Sequence, residues 1–394
     1  MNNNTTLCQH FGICGGCQIQ NLEYDKQLLD KEHYLNQIFK DFEIENFSKM
    51  VASPYIWYYR NKMEFVVGKT KEGKIISGLR EKNKFYKIVD LKECKISLPE
   101  VREILSTTKK WIEENRLEPY DLLSHKGKVR YVVVKHSKTY NKIMLNLVVT
   151  GTKYQIQNNE NEIYEDAVER YKNILNVSSV YLSINNSVSD NAVPQEILHL
   201  WGEKFIRETL NGVEYLIYPS TFFQTNTKCC ENLYKLILDE IIEGNTLDLY
   251  CGSGGITLQV AKHKPFGKII GIDSSKENIN NAFENLKINS LSSDMVEFVN
   301  DNVENFILKL WKSKFFSNLS NIIVDPPRPG LSKKVKNIIA NLGINRIIYV
   351  SCNPKTLYED LKSFIKFYKI KKLIPVDMFP HTSHIELICV LEHK

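Results

Sequence analysis

The 394-residue chain contains no apolar run long enough to cross a membrane, and its first residues, Met1 to Thr6, are polar and lack the apolar core of a signal peptide. The first absence argues against a helical membrane span, and the second leads to the expectation that the product is not secreted. Together they predict a cytoplasmic protein whose nine cysteines are reduced or metal-bound rather than paired in disulfides. Internal repeats and low-complexity segments are also lacking, which sets aside repeat arrays and disordered architectures. What remains is ordinary globular composition, 43% hydrophobic and 25% charged, at a length that predicts two or three domains.

The net charge is a modest +6, but it is concentrated. Between Arg60 and Lys92 ten basic residues stand against four acidic ones, which equals the excess of the whole chain. Phe65, Phe85 and Tyr86 are interleaved with them. Basic strands carrying aromatics suit a phosphate backbone and unstacked bases. A solvated lysine-rich face would have the same composition.

Cys8, Cys14 and Cys17 form a C-x5-C-x2-C pattern, and Cys94 follows the basic segment. Four thiolates hold either a tetrahedral zinc or an iron–sulfur cluster. Gly15 and Gly16 allow a tight turn whose amide hydrogens point at sulfur. Spacing alone does not separate the two metals, although zinc sites more often use paired CxxC motifs. An amphipathic helix is predicted over Leu22 to Phe42, with Leu28, Leu35, Ile38 and Phe42 on its packing face. Strands at Met63–Val67, Val129–His136, Ile143–Val149 and Val180–Ile184, with a helix over Val101–Asn115, predict an α+β domain. A linker is expected near Trp201 to Gly212.

From Thr246 onward strand and helix alternate, which predicts a parallel sheet wound with helices. The strand beginning at Thr246 passes Asp248 and Tyr250 and runs into the loop Gly252-Ser253-Gly254-Gly255 at a helix start. Glycines there let backbone approach a cofactor closely. About 20 residues on, the strand Ile269–Asp273 ends in an acid placed for ribose hydroxyls. The dinucleotide fingerprint G-x-G-x-x-G is absent. A further strand, Asn321 to Val324, enters Asp325-Pro326-Pro327-Arg328-Pro329-Gly330. An aromatic after the prolines would stack on a base whose amine is methylated. Arg328 occupies that place and argues against such chemistry.

Cys352 ends the β-branched run Arg346 to Ser351, and Asn353 with Pro354 then opens a helix. A thiol at the mouth of an α/β sheet, beside a helix N-terminus, is where substrates bind and where a thiolate is stabilised. A lone cysteine at a strand end is otherwise ordinary core. Glu386 interrupts the apolar strand Ile385 to Leu391, where a carboxylate is costly unless it lies at the mouth, and this makes it a candidate base with a raised pKa. His381 and His384 read as structural or substrate-positioning. Cys229, Cys230, Cys251 and Cys389 read as core.

These motifs in this order resemble the S-adenosylmethionine-dependent RNA uracil-C5 methyltransferases, and within them the iron–sulfur branch that makes 5-methyluridine in 23S rRNA. The resemblance rests on Cys8, Cys14, Cys17 and Cys94; Tyr59-Arg60-Asn61-Lys62; Phe222-Phe223-Gln224-Thr225-Asn226; Asp248 to Gly254; Asp325-Pro-Pro-Arg; Ser351-Cys352-Asn353-Pro354; and Phe379-Pro-His-Thr with Glu386. It implies an α/β fold with a C-terminal Rossmann-like class I methyltransferase domain (206–394). Ahead of this it implies an α+β RNA-binding domain (21–205) and an N-terminal cluster segment (1–20, with Cys94). It further implies a [4Fe-4S] cluster on the four cysteines. S-adenosyl-L-methionine would be held by Gln224, Tyr250, Gly252, Gly254, Asp273, Asp325 and Asn302. Cys352 would be the nucleophile and Glu386 the base. The family often carries a small RNA-binding β-barrel ahead of the first cysteine, and with seven residues before Cys8 it is expected to be missing here.

The chemistry needs those two residues. C5 of uracil is a poor nucleophile until a thiolate adds at C6, and a base must then remove the C5 proton. The target base leaves its stack to enter the site, and the helix start after Cys352 is expected to lower the thiol pKa. The expected partner is RNA, 23S rRNA favoured and tRNA the alternative, with no membrane and no obligate protein partner. RNA cytosine-C5 methylation fits less well, because those enzymes place a cysteine after the proline where this chain has Pro327-Arg328. An RNA-binding protein with a zinc site and a degenerate methyltransferase domain is the non-enzymatic alternative.

Overall fold

Short runs of β-branched residues set the strands, and capped amphipathic segments set the helices between them. The computed structural model describes residues 7–310 and 318–394, so the polar Met1 to Thr6 lies outside them. The chain divides into two compact units. One holds the described residues up to Asn21, with Tyr55–Glu208 and Leu216–Ser220; the other holds Leu22–Pro54, Thr209–Tyr215 and Thr221–Lys394.

The second unit begins early in the sequence, with α1 (Tyr24–Phe39) and β1 (Ile44–Phe47). The expected division at residues 20 and 205 places this segment in the central domain, and the structure corrects it. Leu35 and Phe39 of α1 join the apolar core of the α/β sheet, and β1 pairs in parallel with a strand near the C-terminus. An amphipathic pattern reveals that a helix has a packing face but not what the face meets.

The first unit contains β2 (Lys62–Lys69), β3 (Ile75–Glu81), β4 (Lys84–Asp90), α2 (Val101–Glu114), β5 (Val129–Ser137), β6 (Lys142–Val149), α3 (Lys153–Asn159), α4 (Asn161–Tyr171), β7 (Val177–Ile184) and β8 (Glu196–Gly202). Among the described residues these strands form one sheet ordered β4-β3-β2-β5-β6-β7-β8. Trp111 of α2 and Tyr164 of α4 pack together over its apolar core. Phe65, expected among the RNA-facing aromatics, lies in that core, fully buried. The linker expected near Trp201 to Gly212 is largely strand, occupied by the end of β8 and by β9 (Ile206–Leu210), which precedes β10 (Val213–Ile217).

The second unit resumes with α5 (Thr227–Leu238), β11 (Asn245–Leu249), α6 (Gly255–His263), β12 (Ile269–Asp273), α7 (Lys276–Ile288), β13 (Val296–Asn300) and α8 (Val303–Leu310). It ends with β14 (Leu319–Val324), α9 (Lys333–Asn341), β15 (Arg346–Ser351), α10 (Pro354–Phe364), β16 (Tyr368–Val376) and β17 (Glu386–His393). The sheet order among the described residues is β1-β16-β17-β15-β14-β11-β12-β13, the Rossmann-like arrangement expected of the C-terminal half. β17 runs antiparallel to both neighbours. Side chains alternate between two cores: Ile322, Val324, Ile347 and Tyr349 enter one, while Ile323, Ile348 and Val350 enter the other.

Candidate functional site

The carboxyl edge of the eight-stranded sheet collects the second unit's motifs. Cys352 follows the last residue of β15 and is half-buried. Asn353 caps α10, its side chain accepting from the Lys355 amide at 3.2 Å, and Pro354 fills the first helical position. Glu386 opens the antiparallel β17, so its amino end lies at the same edge, and it is buried at 5% exposure.

Burial pushes the Glu386 carboxyl well above the usual carboxylate range; nearby Asp325 adds to this and Arg328 opposes it. Burial also raises the Cys352 thiol, with Glu386 and Asp325 raising it further and Arg328 lowering it. Burial first, then the two carboxyl groups, thus act against the lowering expected from the helix start. Arg328 acts on both groups and is the charge favouring a thiolate, a role beyond the exclusion of an amine substrate.

The loop that carries Arg328 is tied to the helix behind Cys352. The Arg328 carbonyl accepts from Thr356 Oγ1 at 3.3 Å and lies 3.5 Å from Asn353 Nδ2. Gly330 has φ +81°, and a Cβ there would stand 2.3 Å from Thr356 Cγ2. Buried Asp360 of α10 completes the knot. Its Oδ2 accepts from the Leu331 amide at 2.9 Å and from the Tyr349 hydroxyl at 2.6 Å, and its Oδ1 faces Lys336 Nζ at 2.8 Å. Asp360 is a positioning residue with no sequence signature, since an acid inside a helix looks like a solvent-facing one.

A glycine turn with three nearby carboxyl groups lies at the same sheet edge. Tyr250 (φ +66°), Gly252 (φ +55°) and Gly254 (φ +81°) turn the chain from β11 into α6. The space beside Gly252 is open, while a Cβ on Gly254 would meet the Phe298 ring at 2.9 Å. Asp273 Oδ2 accepts the Gly252 amide at 3.0 Å, joining the ends of β11 and β12. Buried Asp248 accepts from Thr257 through Oδ2 at 2.5 Å, and its Oδ1 has no hydrogen-bond partner among the described residues. Burial, with Asp325 and Asp273 nearby, raises Asp248 to about 7, and burial raises Asp325 to about 7. Three carboxyl groups at an open glycine turn, one with an orphaned oxygen, fit a ligand bearing a sulfonium, an amine and ribose hydroxyls.

The other cofactor candidates are placed less centrally. Gln224 is half-buried in the loop before α5, where Asn226 caps the helix by accepting from Cys229 at 3.2 Å. Asn302 is exposed, and its side chain accepts from the Glu304 amide at 2.8 Å at the start of α8. Helix capping accounts for its polarity. Cys229, Cys230, Cys251 and Cys389 are buried, as expected of core thiols.

The strand leading to Glu386 is anchored by α1. Lys31 Nζ meets Asp377 Oδ1 at 2.7 Å with both side chains buried, and Tyr24 donates to Asp377 Oδ2 at 2.9 Å. Gln27 holds His381 through ring Nδ1 at 3.1 Å and through the backbone amide at 2.9 Å. His381 is therefore structural, whereas His384 is exposed, its ring 5.9 Å from that of Phe379.

In the first unit Cys8, Cys14, Cys17 and Cys94 line a single cavity with His10, Leu79 and Ile96. The Gly16 amide points at Cys14 Sγ at 3.3 Å, and the amides of Ile96 and Ser97 bond the Cys94 sulfur. Among the described residues no three His, Cys, Asp or Glu side chains converge in a metal-holding group. The thiols surround a space rather than a point. Burial and the neighbouring thiols push Cys17 up to about 12, and burial pushes Cys94 up to about 11.

Residues 23–394 match the tRNA (Uracil-5-)-methyltransferase family. The chain is 35% identical over 394 residues to a Clostridium tetani protein described as an uncharacterized RNA methyltransferase, covering 98% of this chain and 84% of that one. It is also 35% identical over 385 residues to the tRNA (uracil(54)-C(5))-methyltransferase of Pyrococcus abyssi, covering 98% and 85%. The crystal structure of the Pyrococcus abyssi tRNA (uracil-54, C5)-methyltransferase with S-adenosyl-L-homocysteine aligns at a TM-score of 0.77 and 32% identity, covering 96% of this chain and 86% of that one.

Proposed function

The chain belongs to the tRNA (Uracil-5-)-methyltransferase family and is an S-adenosylmethionine-dependent RNA uracil-C5 methyltransferase, and from that premise we propose how its residues divide the work. Cys352 is the nucleophile, Glu386 the base, and a uridine in 23S rRNA the target, modified in the cytoplasm. The observation that carries the catalytic assignment is the pairing of a half-buried thiol with a buried carboxyl at one sheet edge, under the influence of a common arginine.

In this reading the Cys352 thiolate adds to C6 of the uracil, and the C5–C6 π electrons move onto the C4 carbonyl as an enolate. The enolate electrons return through C5, which bonds to the methyl carbon that S-adenosylmethionine would supply as its S–CH3 bond breaks to leave a neutral thioether. Glu386 takes the C5 proton, the C5–C6 double bond re-forms, the C6–S bond breaks and the thiolate is released. A carboxyl held above the usual range is the stronger base for that proton. Arg328 balances the charge of Cys352 and Glu386. Asp248, Asp273, Asp325, Tyr250, Gly252 and Gly254 would hold the donor, with Gln224 and Asn302 at the periphery.

Cys8, Cys14, Cys17 and Cys94 would hold a [4Fe-4S] cluster, tying the N-terminal loop to the segment after β4. What supports this is four thiols lining one cavity with amide hydrogens directed at two of the sulfurs.

The test of the catalytic assignment is 5-fluorouridine-containing RNA, which cannot surrender a proton at C5 and should trap a covalent protein–RNA adduct. The adduct should disappear in Cys352→Ala. Undiminished trapping by that variant would remove Cys352 as nucleophile. A second reading, the same reaction on tRNA, is favoured by the Pyrococcus abyssi relative, a tRNA (uracil(54)-C(5))-methyltransferase. Mapping 5-methyluridine in the rRNA and tRNA of a strain lacking this gene decides between them.

A further inference from the structure

One group of residues in the first unit is left over by the chemistry above. Part of the basic segment between Arg60 and Lys92 is committed to ion pairs within the unit. Lys69 pairs with Glu118 at 3.1 Å, Arg80 with Asp190 at 2.7 Å, and Lys62 with Glu64 at 2.7 Å. The tip of the β3–β4 hairpin is different. Lys82, Asn83, Lys84, Phe85, Tyr86 and Lys87 are exposed one after another. Phe85 is 62% exposed and Tyr86 51%, their rings set edge-to-face with centroids 5.6 Å apart.

The strand pairing explains why two adjacent aromatics can lie together. Arg80 stands opposite Ile88, but the next pair is Glu81 with Lys84. Phe85, Tyr86 and Lys87 fall between those pairs, in a bulge that frees their side chains from the usual alternation. The hairpin is also held from beside. The Gly15 amide donates to the Arg80 carbonyl at 3.0 Å, the Lys82 amide donates to the Ile13 carbonyl at 2.8 Å, and Cys14 bridges to Glu81. The cysteine loop thus bonds the end of β3 and holds the base of the bulge. Exposing two large aromatics costs solvation free energy, and their edge-to-face arrangement leaves ring faces open. Three lysines against the single acid Glu81, which pairs with Lys84, make the surround cationic.

We infer that the Lys82–Lys87 bulge is a base-stacking platform for an unpaired stretch of the substrate RNA, a reading that rests on RNA being the substrate. Aromatic faces take any base, and the flanking lysines take the phosphates. Two commitments follow. The aromatics should contribute affinity that is insensitive to salt, and Lys87 should contribute affinity that is not.

The experiment is fluorescence anisotropy of a labelled oligouridylate with the full chain, across a salt series. Phe85→Ala with Tyr86→Ala should weaken binding about ten-fold or more, leaving the slope of log K against log salt unchanged. Lys87→Ala should lower that slope by about 0.7. Tyr154→Ala, an exposed aromatic elsewhere in the unit, should change neither. Far-UV circular dichroism and thermal unfolding of each variant check that it is folded. If the wild-type chain binds and methylates RNA while the double variant binds it equally tightly, the platform is overturned and the patch becomes a candidate protein-docking surface. If the wild-type chain neither binds nor methylates RNA, the functional reading itself fails and the platform with it.

Discussion

Cys352 and Glu386 flank the last pair of the antiparallel ladder β15–β17. Ser351 stands opposite Leu387; Cys352 follows the one and Glu386 precedes the other. The carboxyl acts on the thiol electrostatically, so a strand reversal at the sheet edge is what lets two residues apart in sequence act on one base. Catalysis depends on that juxtaposition and on the groups that hold it.

Arg328 lowers the Cys352 thiol against burial and two carboxyl groups. Arg328→Ala should therefore move the pH profile of adduct formation to higher pH, with about a ten-fold loss near neutrality for every ten-fold fall in the acidity of the thiol. Arg328→Lys should keep most of the wild-type profile. Stopped-time trapping with 5-fluorouridine RNA from neutral to alkaline pH measures this, and coincident profiles for wild type and Arg328→Ala would remove the arginine from thiol activation.

Glu386→Gln should abolish turnover yet stabilise the fold. The folded carboxyl is held well above its ordinary value. Between the ordinary value and the raised one, the folded chain keeps a proton that the unfolded chain has shed, so the contribution of Glu386 to stability falls as pH rises. Glutamine does not titrate. The Tm advantage of the variant should accordingly grow with pH above about 4.3, the ordinary glutamate value, and vanish below it. Thermal unfolding at several pH values reads the sign directly.

The Lys31–Asp377 pair should behave as a buried ion pair. Lys31→Met alone strands a carboxylate at 0% exposure and should cost about 3–5 kcal/mol. Lys31→Met with Asp377→Asn removes both charges, keeps an acceptor for Tyr24, and should recover most of that loss. Urea unfolding of wild type, the double variant and both single variants, Lys31→Met and Asp377→Asn, tests the cycle, and additive losses would contradict it.

Anaerobically purified protein should be brown and contain iron and acid-labile sulfide, with Cys17→Ser losing both. Colourless protein with stoichiometric zinc would sink the cluster assignment while leaving the methyl-transfer chemistry standing.

Much of this arrangement is legible in the sequence. The predicted strands Arg346–Ser351 and Ile269–Asp273 match β15 and β12 to the residue, because a short β-branched run bounded by a cap or a glycine admits few alternatives. The four thiols expected in the core are there. What sequence hides is the partner of each face. Nothing in α1 says that Leu35 and Phe39 pack in the C-terminal sheet, and nothing in Val101–Glu114 says that its neighbour β2 turns Phe65 inward while β4 turns Phe85 outward. Electrostatics are hidden for the same reason. The helix start after Cys352 is visible in Asn353-Pro354, but the burial of the thiol and the carboxyl groups that oppose its ionisation, from the loop after β14 and from β17, are not.

The route of the chain through its two units has a consequence for biosynthesis. α1 and β1 are made among the first residues, yet their partners, Asp377 and β16, emerge among the last. The inserted unit from Tyr55 to Glu208 contains its own sheet and core, so it can close while translation continues. The leading helix must wait with its apolar stripe uncovered, and the pairing it waits for spans 346 residues between Lys31 and Asp377. A transcript truncated before β16 would then yield a folded insert attached to an unfinished catalytic unit, with the cysteine loop already in place and no methyl transfer behind it.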